Sequence, residues 1–329
     1  MARTAVPPPV TVVQREAGAW LPGRLSAVET RLAEVTSGFG PVLSEEAAAT
    51  LNAGGKRLRP LLVLLCAGPG AGGEAIRGAA AVELVHMATL VHDDVLDAAM
   101  LRRGRPTVIA RSGRARAVAT GDLLLSRAFA ELGTNGGGRQ VELLSAASVS
   151  LALGELAQRR DAYDVGVSVD RYMDRCRLKT ARLFECACLI GRVGHGGGED
   201  PAAPGLAAFG REIGLAFQLL DDVLDVAGPP ERTGKALGTD LLDGTVTLPL
   251  IVARQDDPEL AALDLRALEQ PAAERACQRI ARTGALERVR ELATGHVGAA
   301  KRELDAAPVS DDERRLLGLV ADGVVERYS

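Results

Sequence analysis

The pentapeptide Asp-Asp-Val-Leu-Asp occurs twice, at residues 93–97 and 221–225. Each copy lies near the C-terminal end of a long, otherwise apolar stretch whose hydrophobic residues recur at three and four, the period of a helix. Positions four apart on a helix share a face, so Asp93 points with Asp97 and Asp221 with Asp225. Two local rules are broken here. Like charges at this spacing repel, and carboxylates oppose the partial negative charge of a helix C-terminus. Each violation costs from a few tenths to about 1 kcal/mol at an exposed site. One such cluster reads as a solvated helix face. Two identical clusters on apolar helices read as a functional site, because local rules fail where function overrides them.

The rest of the chain is helical in character. Ala and Leu abound, and β-type alternation is rare. The periodicity predicts long helices over 74–97 and 202–226, others near 114–133, 139–163 and 168–191, and several shorter ones after 250. Gly136-Gly137-Gly138, Gly194, Gly196-Gly197-Gly198 and Gly228-Pro229-Pro230 punctuate them. No β-hairpin signal, fixed-period repeat or linker composition stands out. The expectation is one all-α domain over 20–329, preceded by a flexible tail over 1–19 that holds Pro7-Pro8-Pro9.

Composition removes several classes. With 43 acids against 39 bases and a net charge of −4, the chain has no general electrostatic reason to bind nucleic acid. Aromatics at 3% are too few for base-stacking platforms. No apolar run approaches the roughly 18 residues of a membrane span, and the first residues lack the apolar stretch of a secretory signal. Five cysteines without a CxxC pair fit reduced thiols and a cytoplasmic location. Cys186 and Cys188 read as core packing rather than metal ligands.

If the two acidic helices face one another, six carboxylates line one cleft, and they cannot all stay ionised without cations. The candidate metal ligands are therefore Asp93, Asp94, Asp97, Asp221, Asp222 and Asp225. All-oxygen ligation suits Mg²⁺, which keeps several waters and bridges to phosphates. A diphosphate in such a cleft also needs fixed cations. Lys56 and Arg59 lie in Gly-Gly-Lys-Arg-Leu-Arg-Pro at 54–60. His86 is seven residues, about two turns, before Asp93. Arg102 and Arg103 follow the first motif, Lys179 and Thr180 sit within another helix, Gln218 precedes Asp221 by three, and Lys235 follows the second motif. Of the 39 bases only four are lysines: Lys56, Lys179, Lys235 and Lys301. A lysine kept against that bias suits a site where a compact ammonium meets phosphate.

Taken together these segments resemble the trans-type polyprenyl diphosphate synthases, the isoprenyl chain-elongation enzymes. The resemblance runs from Gly54 to about Arg327 and includes GGKRLRP at 54–60, ELVHMATLVHDDVLD at 83–97, LRRGRPT at 101–107, GELAQ at 154–158, KTARLF at 179–184, FQLLDDVLD at 217–225, GKALGTDL at 234–241 and TLP at 247–249. It implies a helical bundle around a deep central cavity and a homodimer. It also implies three Mg²⁺ ions held with an allylic diphosphate by Asp93, Asp97 and Asp221, while Asp94, Asp222 and Asp225 act mainly through water or from behind. The allylic diphosphate would lie on Arg102, Lys179, Gln218 and Lys235, with Thr180 beside it. Isopentenyl diphosphate would lie on Lys56, Arg59, His86 and Arg103. The catalytic set so implied is Asp93, Asp97, Lys179, Thr180, Gln218 and Asp221. Once its charge is neutralised the allylic diphosphate ionises, and the double bond of isopentenyl diphosphate attacks the resulting cation.

The resemblance favours bacterial medium- and long-chain members making C30–C50 products. Val85, Ala88 and Thr89, the residues eight, five and four before Asp93, line the start of the path for the growing tail. None is aromatic, whereas short-chain enzymes of the family often place Phe or Tyr at the last two. Phe129 on another helix is an alternative stop. A farnesyl or geranylgeranyl diphosphate synthase is the shorter-product alternative. A class I terpene cyclase would normally carry an Asn/Asp, Ser/Thr, Glu second motif and need no isopentenyl site. A non-catalytic subunit of a heteromeric prenyl synthase would typically lose residues of the aspartate motifs, and none is lost here. One departure stands out: Thr245 occupies a position where the family often has lysine.

Overall fold

The computed structural model describes residues 8–52, 55, 57–102, 104–136, 138–193, 200–228 and 237–326. Its helices through the second aspartate motif are α1 (Pro8–Ala17), α2 (Trp20–Val35), α3 (Gly40–Asn52), α4 (Leu58–Ala67), α5 (Gly73–Leu96), α6 (Val108–Ser112), α7 (Arg114–Gly133), α8 (Gly138–Arg160), α9 (Val169–Cys176), α10 (Arg182–Val193) and α11 (Ala203–Ala227). Shorter helices follow, and the described chain closes with Gln270–Arg282, Ala285–Ala306 and Asp311–Glu326. The all-α expectation therefore holds among the described residues, apart from one small hairpin.

Helix α5 carries the first motif and is apolar on every side. Ala79, Ala80, Ala81, Val82, Leu84 and Val85 are all buried, as expected of a helix at the centre of a bundle. Small residues bring its neighbours close: a Cβ on Gly78 would lie 2.8 Å from Ile190 Cγ2 on α10. Helices α4, α7 and α10 pack around α5. Helix α11 carries the second motif and packs against α10 and Ala285–Ala306. Helix α10 thus stands between the two motif helices.

Three features differ from the sequence expectation. The stretch expected as one helix over 168–191 is interrupted by a turn of π-helix, Arg177–Ala181, between α9 and α10. It fits between two glycines: a Cβ on Gly154 of α8 would lie 2.6 Å from the Lys179 nitrogen, and one on Gly214 of α11 would lie 2.6 Å from Ala181 Cα. Second, the expected flexible tail over 1–19 is a helix over its described part. Val10 and Val13 are buried, and α1 packs on Asp311–Glu326. Proline is tolerated in a first turn, so the Pro run marks a helix start. Third, Leu101–Arg102 pairs antiparallel with Arg105–Pro106 around Gly104, which has φ +72°. Two residues per strand leave no alternation to read.

The Gly214 contact has a measurable consequence. Alanine in a helix interior gains about 1 kcal/mol over glycine, but overpacking costs about 1–3 kcal/mol. Against backbone at 2.6 Å the second effect wins. Gly214→Ala is expected to lower stability by up to about 2 kcal/mol in urea unfolding; a stabilised variant would refute this packing.

Candidate active site

The C-terminal ends of α5 and α11 open onto one cleft of about 1780 Å³. All six aspartates line it, together with Arg59, His86, Arg102, Lys179, Thr180 and Gln218. Lys56, Arg103 and Lys235, also expected here, lie outside the described residues.

The six carboxylates divide by environment. Asp93 and Asp94 lie in the last turn of α5, and Asp97 caps it, its backbone N–H donating to the Asp93 carbonyl at 2.8 Å. Asp93 is half-buried, 3.8 Å from Lys179 Nζ. Burial pushes its carboxyl up to about 6, against the pull of Lys179. Asp94 is buried and accepts from Arg102 Nε at 2.8 Å, so the hairpin delivers this arginine to the first motif. Asp97 accepts from Arg159 Nη2 at 2.5 Å. In the second motif Asp221 is exposed to the cleft. Asp222 is buried, accepting from the Tyr172 hydroxyl at 2.5 Å and from Gln218 Nε2 at 2.8 Å. Asp225 holds the following turn: its carbonyl accepts from Gly238 N at 2.9 Å and its carboxylate from Asp240 N at 3.2 Å.

The π-helical turn places Lys179 and Thr180 between the motifs. The Thr180 hydroxyl donates to Gln218 Oε1 at 2.7 Å, so Thr180, Gln218, Asp222 and Tyr172 form one hydrogen-bonded chain. Lys179 Nζ also pairs with Glu155, and Arg159 Nε donates to the same carboxylate at 2.8 Å. Asp97, Arg159, Glu155, Lys179 and Asp93 therefore alternate in sign across the first motif.

On the far wall, the Arg59 guanidinium lies 4.5 Å from the Phe184 ring centroid. Loss of water pulls its pKa down to about 10, against the attraction of Glu83 and Asp221. His86 is half-buried, and its carbonyl accepts from the Thr89 hydroxyl at 2.8 Å. Between positions 56 and 59, Arg57 adopts a left-handed backbone, φ +48°, just ahead of α4. Its guanidinium bonds Glu29 at 2.5 Å and the buried Glu83 at 2.7 Å, which anchors this segment to α2 and α5.

Sequence reasoning missed Glu155, Arg159, Tyr172, Arg175 and Arg57. GELAQ and the arginine that follows it held a signal for the first two: Glu155 and Arg159 are four apart on α8, and Gly154 beside them marks a close approach. Tyr172 and Arg175 gave none, since an isolated Tyr or Arg on a helix is ordinary.

The donor set fits a hard divalent cation. It is oxygen-only, and Asp93 is under-compensated by the protein's own charges. Among the described residues, however, no three His, Cys, Asp or Glu side chains are already converged on a common point. The first motif is instead engaged with Lys179, Arg102 and Arg159. All five cysteines are buried free thiols and belong to the core. No helix among the described residues is long and apolar enough to cross a membrane.

A family model for polyprenyl synthetase matches residues 41–283. The chain belongs to the polyprenyl synthetase family. Component 2 of the heptaprenyl diphosphate synthase of Geobacillus stearothermophilus is 40% identical over 292 residues, which is 87% of this chain and 91% of that protein. The octaprenyl diphosphate synthase of Escherichia coli (strain K12) is 36% identical over 276 residues, 82% of this chain and 85% of that one. A crystal structure of a polyprenyl synthase from Caulobacter crescentus CB15, complexed with calcium and isoprenyl diphosphate, superposes with a TM-score of 0.89 at 34% identity. That match covers 96% of this chain and 98% of the other. The polyprenyl synthetase fold thus accounts for the helices, and this chain's own residues fill the cleft.

The Tyr172–Asp222 bond can be tested by its pH dependence. Burial first, then Asp240, pushes Asp222 up to about 7, while Tyr172 and Gln218 oppose the rise. With its folded pKa above the unfolded one, ionised Asp222 costs stability as pH rises, and loss of a donor deepens that cost. Tyr172→Phe is expected to lose about 1–3 kcal/mol at pH 8 and less at pH 5, where the carboxyl is protonated. Urea unfolding of both proteins at the two pH values checks this; an equal loss at both would assign the hydroxyl to packing alone.

Proposed function

We propose that this chain is a Mg²⁺-dependent prenyltransferase. It condenses isopentenyl diphosphate with an allylic diphosphate and makes an all-trans polyprenyl diphosphate of C30–C50. The observation that carries the reading is the meeting of both aspartate motifs in one cleft, with Lys179, Thr180 and Gln218 between them.

Bound Mg²⁺, three ions in this reading, supplies the charge neutralisation that makes diphosphate a leaving group. Asp93, Asp97 and Asp221 would hold it. Asp94 and Asp222 lie behind, oriented by Arg102 and by Tyr172 with Gln218, and Asp225 holds Gly238 and Asp240. Lys179, Arg102, Gln218 and Lys235 orient the allylic diphosphate. Lys179 and Arg102, held beside the first motif by Glu155 and Asp94, extend charge-assisted bonds to the phosphate oxygens. Lys56, Arg59, His86 and Arg103 hold isopentenyl diphosphate, and Arg57 braces the segment on which Lys56 and Arg59 stand. Thr180 and Gln218 turn their dipoles toward the allylic carbon as positive charge develops. The apolar wall of α5 excludes water from the cation. The departing diphosphate takes the proton lost on condensation, so no side chain serves as base.

Val85, Ala88 and Thr89 line the cleft, and Phe129 is not among its lining residues. An open wall at these positions supports a medium or long product, in keeping with the heptaprenyl and octaprenyl synthases among the relatives. We also propose a homodimer. Helix α8 turns Val149 and Leu153 outward, each more than half exposed, next to Leu156 at the rim of the cleft, an apolar stripe that a second copy would cover. The name of the Geobacillus relative, a component, supports a second reading in which a different subunit covers this stripe. Activity and size of the purified chain alone separate the two. The free, buried thiols support a cytoplasmic location.

Two variants test the reaction. Asp93→Ala and Asp221→Ala should each lower turnover by more than about a hundredfold while the fold survives. Incubation with isopentenyl diphosphate, farnesyl diphosphate and Mg²⁺, followed by product sizing, measures this; near-normal turnover in either variant would sink the metal assignment. With geranyl diphosphate as the primer, Ala88→Phe should shift the product toward C15–C20, because a phenyl ring would stand where the tail must pass. An unchanged product distribution would mean that the tail runs elsewhere.

A further inference from the structure

Arg175 stands one turn before Lys179, and its side chain is almost wholly buried, with 3% of the residue exposed. Nη2 donates to the Val246 carbonyl at 2.6 Å. Nη1 is buried and has no hydrogen-bond partner among the described residues. Nor does the guanidinium form an ion pair with any described residue. Its guanidinium carbon lies 5.2 Å from the Tyr172 ring centroid, and its charge pulls on the buried Asp222 carboxylate from beyond ion-pair distance. An arginine so placed is costly, because a buried charge without an ion partner loses several kcal/mol of hydration. One carbonyl, one ring face and a single carboxylate beyond ion-pair distance offset that only in part. Arg175 must therefore answer to negative charge at longer range.

That charge lies in the cleft. Arg175 lines it beside Asp222, Thr245 and Thr247, and it holds the backbone between the two threonines. Thr245 is the uncharged residue at the position where the resembling enzymes often have lysine. A buried cation faces the segment from which a cation is missing.

We propose that Arg175 supplies the positive charge of the allylic diphosphate site that position 245 does not supply. It acts as a positioning residue, through its field and through Asp222 and the 245–247 segment, without touching substrate. The inference rests on the reading that an allylic diphosphate binds between the two aspartate motifs. Charge acts over several ångströms and tolerates relocation, whereas a hydrogen bond to Val246 does not. The two roles can therefore be told apart.

Binding of farnesyl S-thiolodiphosphate, an unreactive allylic analogue, is measured calorimetrically with Mg²⁺, alongside the KM for isopentenyl diphosphate. Arg175→Gln keeps a donor for Val246 and removes the charge. It should weaken the analogue about ten- to a hundredfold and change the isopentenyl KM by less than about threefold. Arg175→Lys should retain most of the affinity. Arg175→Gln combined with Thr245→Lys should recover about tenfold over Arg175→Gln alone, because the cation returns from the opposite side. A double variant no tighter than the single, or equal losses for both substrates, overturns the proposal. So does loss of binding in a folded Arg175→Lys variant, which decides the matter even where the glutamine variant fails to fold. Failure of the unaltered protein to bind the analogue would instead overturn the prenyltransferase reading.

Discussion

Negative charge at the C-terminal ends of two buried helices is the constraint on which the rest of this structure depends. Helix dipole, like-charge repulsion and partial burial all act against the aspartates at once. The fold answers with cations, one close in sequence and two from farther along the chain. A two-residue hairpin brings Arg102 to Asp94, α8 brings Arg159 to Asp97, and the π-helical turn brings Lys179 toward Asp93. Glu155 separates the last two cations and keeps them from repelling one another. In the proposed reaction Arg102 and Lys179, positioned by these internal pairs, would also orient the diphosphate.

The cations can reach the site only because the helices approach closely. Gly154 and Gly214 clasp the π-helical turn from two sides, at distances no side chain would allow. A π-helical turn leaves backbone groups outside the regular ladder and so is usually found where function requires it. Here it turns Lys179 and Thr180 into the cleft from a helical stretch that also buries Met173, Ala181 and Leu183. Specificity of packing and placement of charge are thus one problem, solved at the junction of α8, α9, α10 and α11.

What the sequence disclosed follows from how far each signal reaches. The long helices were legible because burial imposes a 3.6-residue period over many turns. The aspartate motifs were legible because a rule was broken twice in the same way. The π-helical turn was not, since one inserted residue alters the period too little to see. The helix Pro8–Ala17 was hidden behind its prolines, and its burial depends on a partner some 300 residues away. Tyr172 and Arg175 were invisible for a similar reason: their meaning comes from Asp222 and Val246, which only the folded chain brings near.

That distant partnership has a topological side. Val10 and Val13 are sealed beneath the helix Asp311–Glu326, and Arg315 reaches Glu16 at 3.2 Å. The described chain therefore closes on itself, like a ring opened at one point. A covalent bridge between these two helices would ask little of the folded state while removing loop entropy from the unfolded one. New openings cut at surface turns far from the cleft would then give circular permutants of the same bundle. Its order of assembly could be rearranged while both aspartate helices stay where they are.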